Sequence, residues 1–183
     1  MSDDTPRGRL LRKGRAILEE RGRLSDLTLR KLAESLDTSH RMLIHHFGSR
    51  DGFLAALLSD LRKQEQEALW ALSVQGTHQD ALRMLERLYL DPAAQPRVSA
   101  FFYVLGLAVQ DPEPYGEFLA SLEDWTTLFT TLGIREGLPA EAARARAQAI
   151  VWTARGLLVT ALTTGDREGA LAQFHNVVRY VDR

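Results

Sequence analysis

An all-α fold is predicted by three features of this sequence. Apolar residues recur at helical spacing along nearly all of its 183 residues. No stretch alternates apolar and polar residues as a half-buried strand would. Helix breakers fall at helix-length intervals: Gly22, then 91–96 (DPAAQP), 111–114 (DPEP), 133–139 (GIREGLP) and 163–166 (TTGD). The pattern predicts an N-terminal three-helix bundle containing a helix-turn-helix, then a larger C-terminal helical bundle.

The elements follow in order. A first helix is expected over 6–21, with Leu10, Leu11, Gly14, Ile17 and Leu18 as its inner stripe and Gly22 as its stop. Thr28 reads as the N-cap of a second helix, 29–36, whose inner residues are Leu32, Ala33 and Leu36. Asp37 takes the sharp turn. Ser39 caps a third, short helix to about residue 46, with Met42 and Leu43 turned inward. A long helix is expected over 51–74, carrying Phe53, Leu54, Leu57, Leu58 and Leu61. Its polar stretch 62–67 (RKQEQE) suits a helix leaving one core and entering another. Further helices are expected over 79–89, 97–110, 115–132, 140–163 and 167–181. The organisation is therefore a reader over 1–50, a linking helix over 51–74 and a second domain over 75–183.

Composition limits the function. Hydrophobic residues at 45% and charged residues at 26% describe an ordinary folded chain. The absence of cysteine excludes disulfides and thiolate metal sites, and it fits a reducing cytoplasm. Residues 1–9 lack the apolar core of a signal peptide, and the longest apolar run, 98–109, is too short to cross a bilayer. The net charge is −1, which alone argues against a nucleic-acid binder, but its distribution argues the other way. Residues 1–50 hold 11 Lys+Arg against 7 Asp+Glu, and the remainder holds 12 against 17. A basic module thus precedes an acidic body.

The segment 27–47 carries the functional reading. Its second helix is too short and too polar for a core helix. Between its inward residues it shows Ser39, His40, Arg41, Ile44, His45 and His46. A helix held by its apolar face and presenting hydrogen-bonding side chains outward suits the DNA major groove. Arg30 lies near the same surface, and Arg50 is within reach of a backbone phosphate. Thr28 and Ser39 stand at helix N-termini, where backbone N–H groups favour phosphate oxygens. The histidines lack the spacing and the acidic or thiol partners of a metal site, so no metal and no cofactor is expected. As imidazoles they would strengthen phosphate binding at mildly acid pH.

These residues resemble the TetR family of bacterial transcriptional regulators. The resemblance rests on the first-helix pattern Arg7, Leu10, Leu11, Ile17, Leu18, Glu20, Arg21, Gly22; on LTLRKLAESL at 27–36; and on Ser39, Leu43, His46, Phe47, Ser49 and Arg50. Further on, only the segment 156–168, near the C-terminal hairpin, is similar. The resemblance implies a homodimer that binds a palindromic double-stranded operator, with a C-terminal domain that dimerises and takes a small-molecule effector. It places base or phosphate contacts on Thr28, Arg30, His40, Arg41, Ile44, His45, His46 and Arg50. Three positions depart from the family pattern. Asp37-Thr38-Ser39 replaces Gly-Val-Ser in the turn, Ile44 replaces a tyrosine, and Arg50 replaces a lysine. Ile44 loses a phenolic phosphate contact and is placed to meet a thymine methyl.

The second domain is less explicit. Met84, Phe101, Phe102, Trp125, Phe129 and Trp152 are the candidate lining of an effector cavity, although aromatic residues at helical spacing also build ordinary cores. Stripes on the last two helices include Val151, Ala154, Leu158, Phe174 and Val178, candidates for a two-fold interface; the competing expectation is that they face the chain's own core. The expected function is a cytoplasmic, nucleoid-associated repressor released from DNA by its effector. The alternative is a helical ligand-binding or interaction protein of the same fold that has lost DNA reading. No nucleophile elbow, phosphate loop or paired acidic site points to an enzyme.

Overall fold

A computed structural model describes residues 5–21 and 28–181. All regular structure among these residues is helical: α1 (Pro6–Arg21), α2 (Leu29–Ser35), α3 (His40–Phe47), α4 (Arg50–Gln75), α5 (His78–Leu85), α6 (Gln95–Gln110), α7 (Gly116–Ala120), α8 (Asp124–Arg135), α9 (Ala140–Thr164) and α10 (Arg167–Val181). The expected stop at Gly22 and the first residue of the 27–47 segment lie outside the described residues.

The chain divides into two compact units, one built from residues 1–64 and 96–121, the other from 65–95 and 122–183. In the first, the inner stripe of α1 is buried at Leu10, Leu11, Ile17 and Leu18, and α4 contributes Phe53, Leu54, Leu57 and Leu58. Gly14 belongs to this seam for a steric reason. A Cβ there would stand 2.7 Å from the Phe53 ring. Arg15 and Asp60, both largely buried, add an ion pair at 2.6 Å between α1 and α4. On α6, Val98, Phe101, Val104 and Ala108 form the buried stripe, and Phe101 meets Phe118 with ring centroids 5.5 Å apart.

The second unit has one core cluster, joining Leu69 of α4 to α5, α8, α9 and α10. α9 packs along both α8 and α10. Gly165 closes α9 in the left-handed conformation, φ 79°, and the next helix begins two residues later. The TTGD link makes this tight reversal possible.

Two expected helices are interrupted. The stretch 115–132 breaks at a 3₁₀ turn, Ser121–Glu123. Arg62 takes the Ser121 carbonyl and Arg155 takes the Leu122 carbonyl, so arginines replace helical N–H groups as donors there. The helix expected through residue 89 ends at Leu85 and continues as a π-helical turn, Glu86–Leu90. Within that turn the Tyr89 hydroxyl donates to Glu65 at 2.8 Å and accepts from Trp125 Nε1 at 3.1 Å. The widened turn gives Tyr89 both bonds. No described helix is long and apolar enough to cross a membrane.

Candidate nucleic-acid interface

The helix-turn-helix is built by caps and one constrained turn. Thr28 is extended, and its hydroxyl accepts the Lys31 N–H at 3.3 Å, opening α2. Ser39 does the same for α3, accepting the Met42 N–H at 3.2 Å. Between them Asp37 has φ 51°, the only positive φ at a non-glycine residue among those described. Aspartate tolerates this region better than most L-residues, so the turn keeps its shape without the usual glycine. Leu32, Ala33, Leu36 and Leu43 are buried and fix α2 against α3.

The solvent side of this pair carries His40, Arg41, Ile44 and His45 on α3, and Arg30 on α2. Ile44 is 39% exposed. Among the described residues, Arg30 forms an exposed i,i+4 pair with Glu34 at 3.1 Å, a contact worth about 0.3–0.5 kcal/mol and easily exchanged. The sequence placed Met42 inward, but it is 39% exposed. α3 is eight residues long and buries a narrow arc centred on Leu43, which leaves Met42 on the flank. Exposed Met42 and Lys31 therefore join the outer face; the sequence reading missed both, and the adjacency of Lys31 to Arg30 was the available signal.

Two expected contact residues stand apart from that face. The His46 ring is half-buried, its Nε2 has no hydrogen-bond partner, and its ring lies 4.9 Å from that of His45. Arg50, the first residue of α4, has a side chain only 19% exposed. Its Nη1 donates to Asp51 Oδ1 at 2.6 Å and to the Tyr103 hydroxyl at 2.7 Å, and its guanidinium lies 5.3 Å from the Tyr103 ring centroid. Nothing in the local sequence around Arg50 pointed to Tyr103, 53 positions away.

The architecture now has close counterparts among solved structures. A transcriptional regulator from Rhodococcus sp. Rha1 superposes with a TM-score of 0.68 at 19% identity, over 97% of this chain and 95% of its own. A TetR transcriptional regulator from Legionella pneumophila superposes with a TM-score of 0.60 at 16% identity, over 100% and 98%. The chain has the fold of TetR-type regulators. No protein-family model matches it, and neither does any curated protein.

The six residues expected at an effector cavity are divided between the two units. Met84, Trp125 and Phe129 are buried in the second unit, where the Trp125 and Phe129 rings stack at 5.9 Å. Phe101 and Phe102 belong to the first unit, in edge contact at 5.2 Å. Trp152 is 56% exposed on α9. A cleft of about 500 Å³ does open in the first unit, among Arg7, Phe47, Gly52, Ala56, Tyr115 and Phe118, and none of the six lines it. Val151, Ala154, Leu158, Phe174 and Val178 are all buried within their own chain.

Proposed function

We propose that this protein is a DNA-binding transcriptional regulator that reads double-stranded DNA with α3. The observation that carries the reading is the two-sidedness of α3: Leu43 is fully buried, while His40, Arg41, Ile44 and His45 face solvent from a helix fixed at its start by Ser39. A rigid scaffold under exposed donors is what base-edge contact requires. Thr28, Ser39 and Arg30 supply phosphate contacts beside it, with His46 and Arg50 at the edge of the footprint. Residues 1–50 act as the reader, the long helix as the link, and 75–183 as the effector and dimerisation part. The site of action is the bacterial cytoplasm, at the nucleoid.

The protein acts as a homodimer on a palindromic operator, because two readers about 34–36 Å apart match successive major grooves. The second copy docks on the outer face of α9. There Trp152, Gly156, Val159 and Thr160 are exposed and uncharged, whereas the five inward residues are already covered. A small-molecule effector bound within 75–183 releases the protein from DNA, and the output is repression. The effector must bind the DNA-incompetent state more tightly, or no population shifts.

A footprint on the DNA upstream of the protein's own gene tests this. Protection of a two-fold symmetric site with half-sites one helical turn apart is expected. No protection at protein concentrations up to micromolar would overturn the reading.

A further inference from the structure

We infer that Tyr103 is a positioning residue for DNA binding, holding Arg50 away from the phosphate backbone. The inference rests on the DNA-reading function proposed above. Arg50 opens α4, the N-cap being Ser49, whose hydroxyl accepts the Gly52 N–H at 2.9 Å. A helix N-terminus carries positive partial charge, so a cation in its first position is unfavourable for the helix itself. Asp51, next along, offsets that charge and draws the guanidinium to itself at 2.6 Å. An arginine in this place is therefore explained better by what it can reach than by what it does for α4. Helix N-termini favour phosphate oxygens, and Arg50 would add a full charge to that site.

The geometry withholds that charge. Arg50 Nη1 makes both of its short bonds inside the first unit, to Asp51 and to the Tyr103 hydroxyl on α6. Tyr103 closes the triangle by donating to Asp51 Oδ1 at 3.3 Å. The guanidinium carbon lies 5.3 Å from the Tyr103 ring centroid, on the hydroxyl side. The Tyr103 hydroxyl thus contacts both charged groups, and the Arg50 side chain is only 19% exposed. A phosphate that takes both terminal nitrogens of Arg50 must displace this arrangement. A shift of α6 that opens the Tyr103 bond makes one further cation available to DNA.

Tyr103→Phe is a clean probe because it changes no charge. Any change it makes in the salt dependence of DNA binding must come through another group's charge. The test is fluorescence anisotropy of the full chain on a labelled random-sequence duplex between 50 and 200 mM salt. It compares the wild type with Tyr103→Phe, Arg50→Ala and the double variant. Tyr103→Phe is expected to bind about 3–10-fold more tightly at the low-salt end, with a slope of log K against log salt steeper by about 0.9, the value of one phosphate contact. Arg50→Ala abolishes that gain. Tyr103→Met, which removes the hydroxyl and the ring, moves in the same direction. Unchanged or weaker binding by Tyr103→Phe overturns the inference, as does a gain that persists without Arg50. Wild-type binding with a flat cycle overturns this inference alone. No DNA binding by the wild type overturns the DNA-reading function and this inference with it.

Discussion

The Lys13 ammonium on α1 donates to the Leu36 carbonyl at 3.0 Å, tying the first helix to the end of α2 where the reader turns. Leu36 follows the last residue of α2, so its carbonyl lies where intrahelical donors run out. The same ammonium lies 3.4 Å from Asp37 Oδ2, an exposed contact that adds little. Lys13→Met keeps the side-chain stem and removes the donor. A loss of about 0.5–1.5 kcal/mol in urea unfolding is expected, the net worth of one hydrogen bond.

Asp37 makes a sharper test of the turn. At φ 51° a β-branched side chain is strained, and glycine is not. Asp37→Val is expected to destabilise by about 1–2 kcal/mol, and Asp37→Gly to be neutral or stabilising by up to about 1 kcal/mol. Thermal unfolding of the two variants distinguishes them directly. Equal melting temperatures would mean that the turn does not depend on this conformation.

Gly14 lies under the Phe53 ring, which is fully buried. Gly14→Leu is expected to cost about 2 kcal/mol or more by overpacking; Gly14→Ala is expected to cost less, because roughly 1 kcal/mol of helix propensity offsets part of the clash of its Cβ with Phe53. Calorimetry of both variants checks the order.

The pH dependence has two contributors with known direction. Hydrogen bonds from the Thr77 hydroxyl, then Arg83, then the Thr77 backbone lower the Asp80 carboxyl from 3.8 to about 2. Its folded-state value is depressed, so the stability it contributes is present above 3.8 and is lost as pH falls through about 2. Thr77→Val should return the Asp80 titration toward 3.8 in a carboxyl-carbon NMR experiment. Tyr115 moves upward from 10.0, first through burial and then through the charges of Asp51, Tyr103 and Asp111. A raised value means that its contribution is full below 10.0 and fades as pH rises through the folded-state value. Absorbance at about 295 nm should show a tyrosine ionising above 10.0, and Tyr115→Phe should remove that step.

Much of this architecture could be read from local sequence. Thr28 and Ser39 are N-caps whose partners lie three residues away, and Leu32, Ala33, Leu36 and Leu43 follow the helical period. Such features depend on neighbours in the chain. The readings that shifted depend on distant groups. Arg50 was expected to reach for phosphate, but Tyr103 on a remote helix holds it. Residues 115–132 have unbroken helical spacing, yet Arg62 and Arg155 interrupt them by claiming carbonyls. Trp152 shares its helix with Val151 and Ala154, and only the packing of α8 and α10 around α9 shows which of them is left outside.

The central claim is that the outer faces of α2 and α3 bind DNA through their arginines. It is tested most directly by the salt dependence of binding to the protein's own upstream DNA, for the wild type and for Arg30→Ala combined with Arg41→Ala. Both side chains are exposed, so their removal should leave the fold intact. The double variant is predicted to bind at least about 10-fold more weakly, with a log–log salt slope shallower by about 1–2. Equal affinity and equal slope in the two proteins would contradict the account.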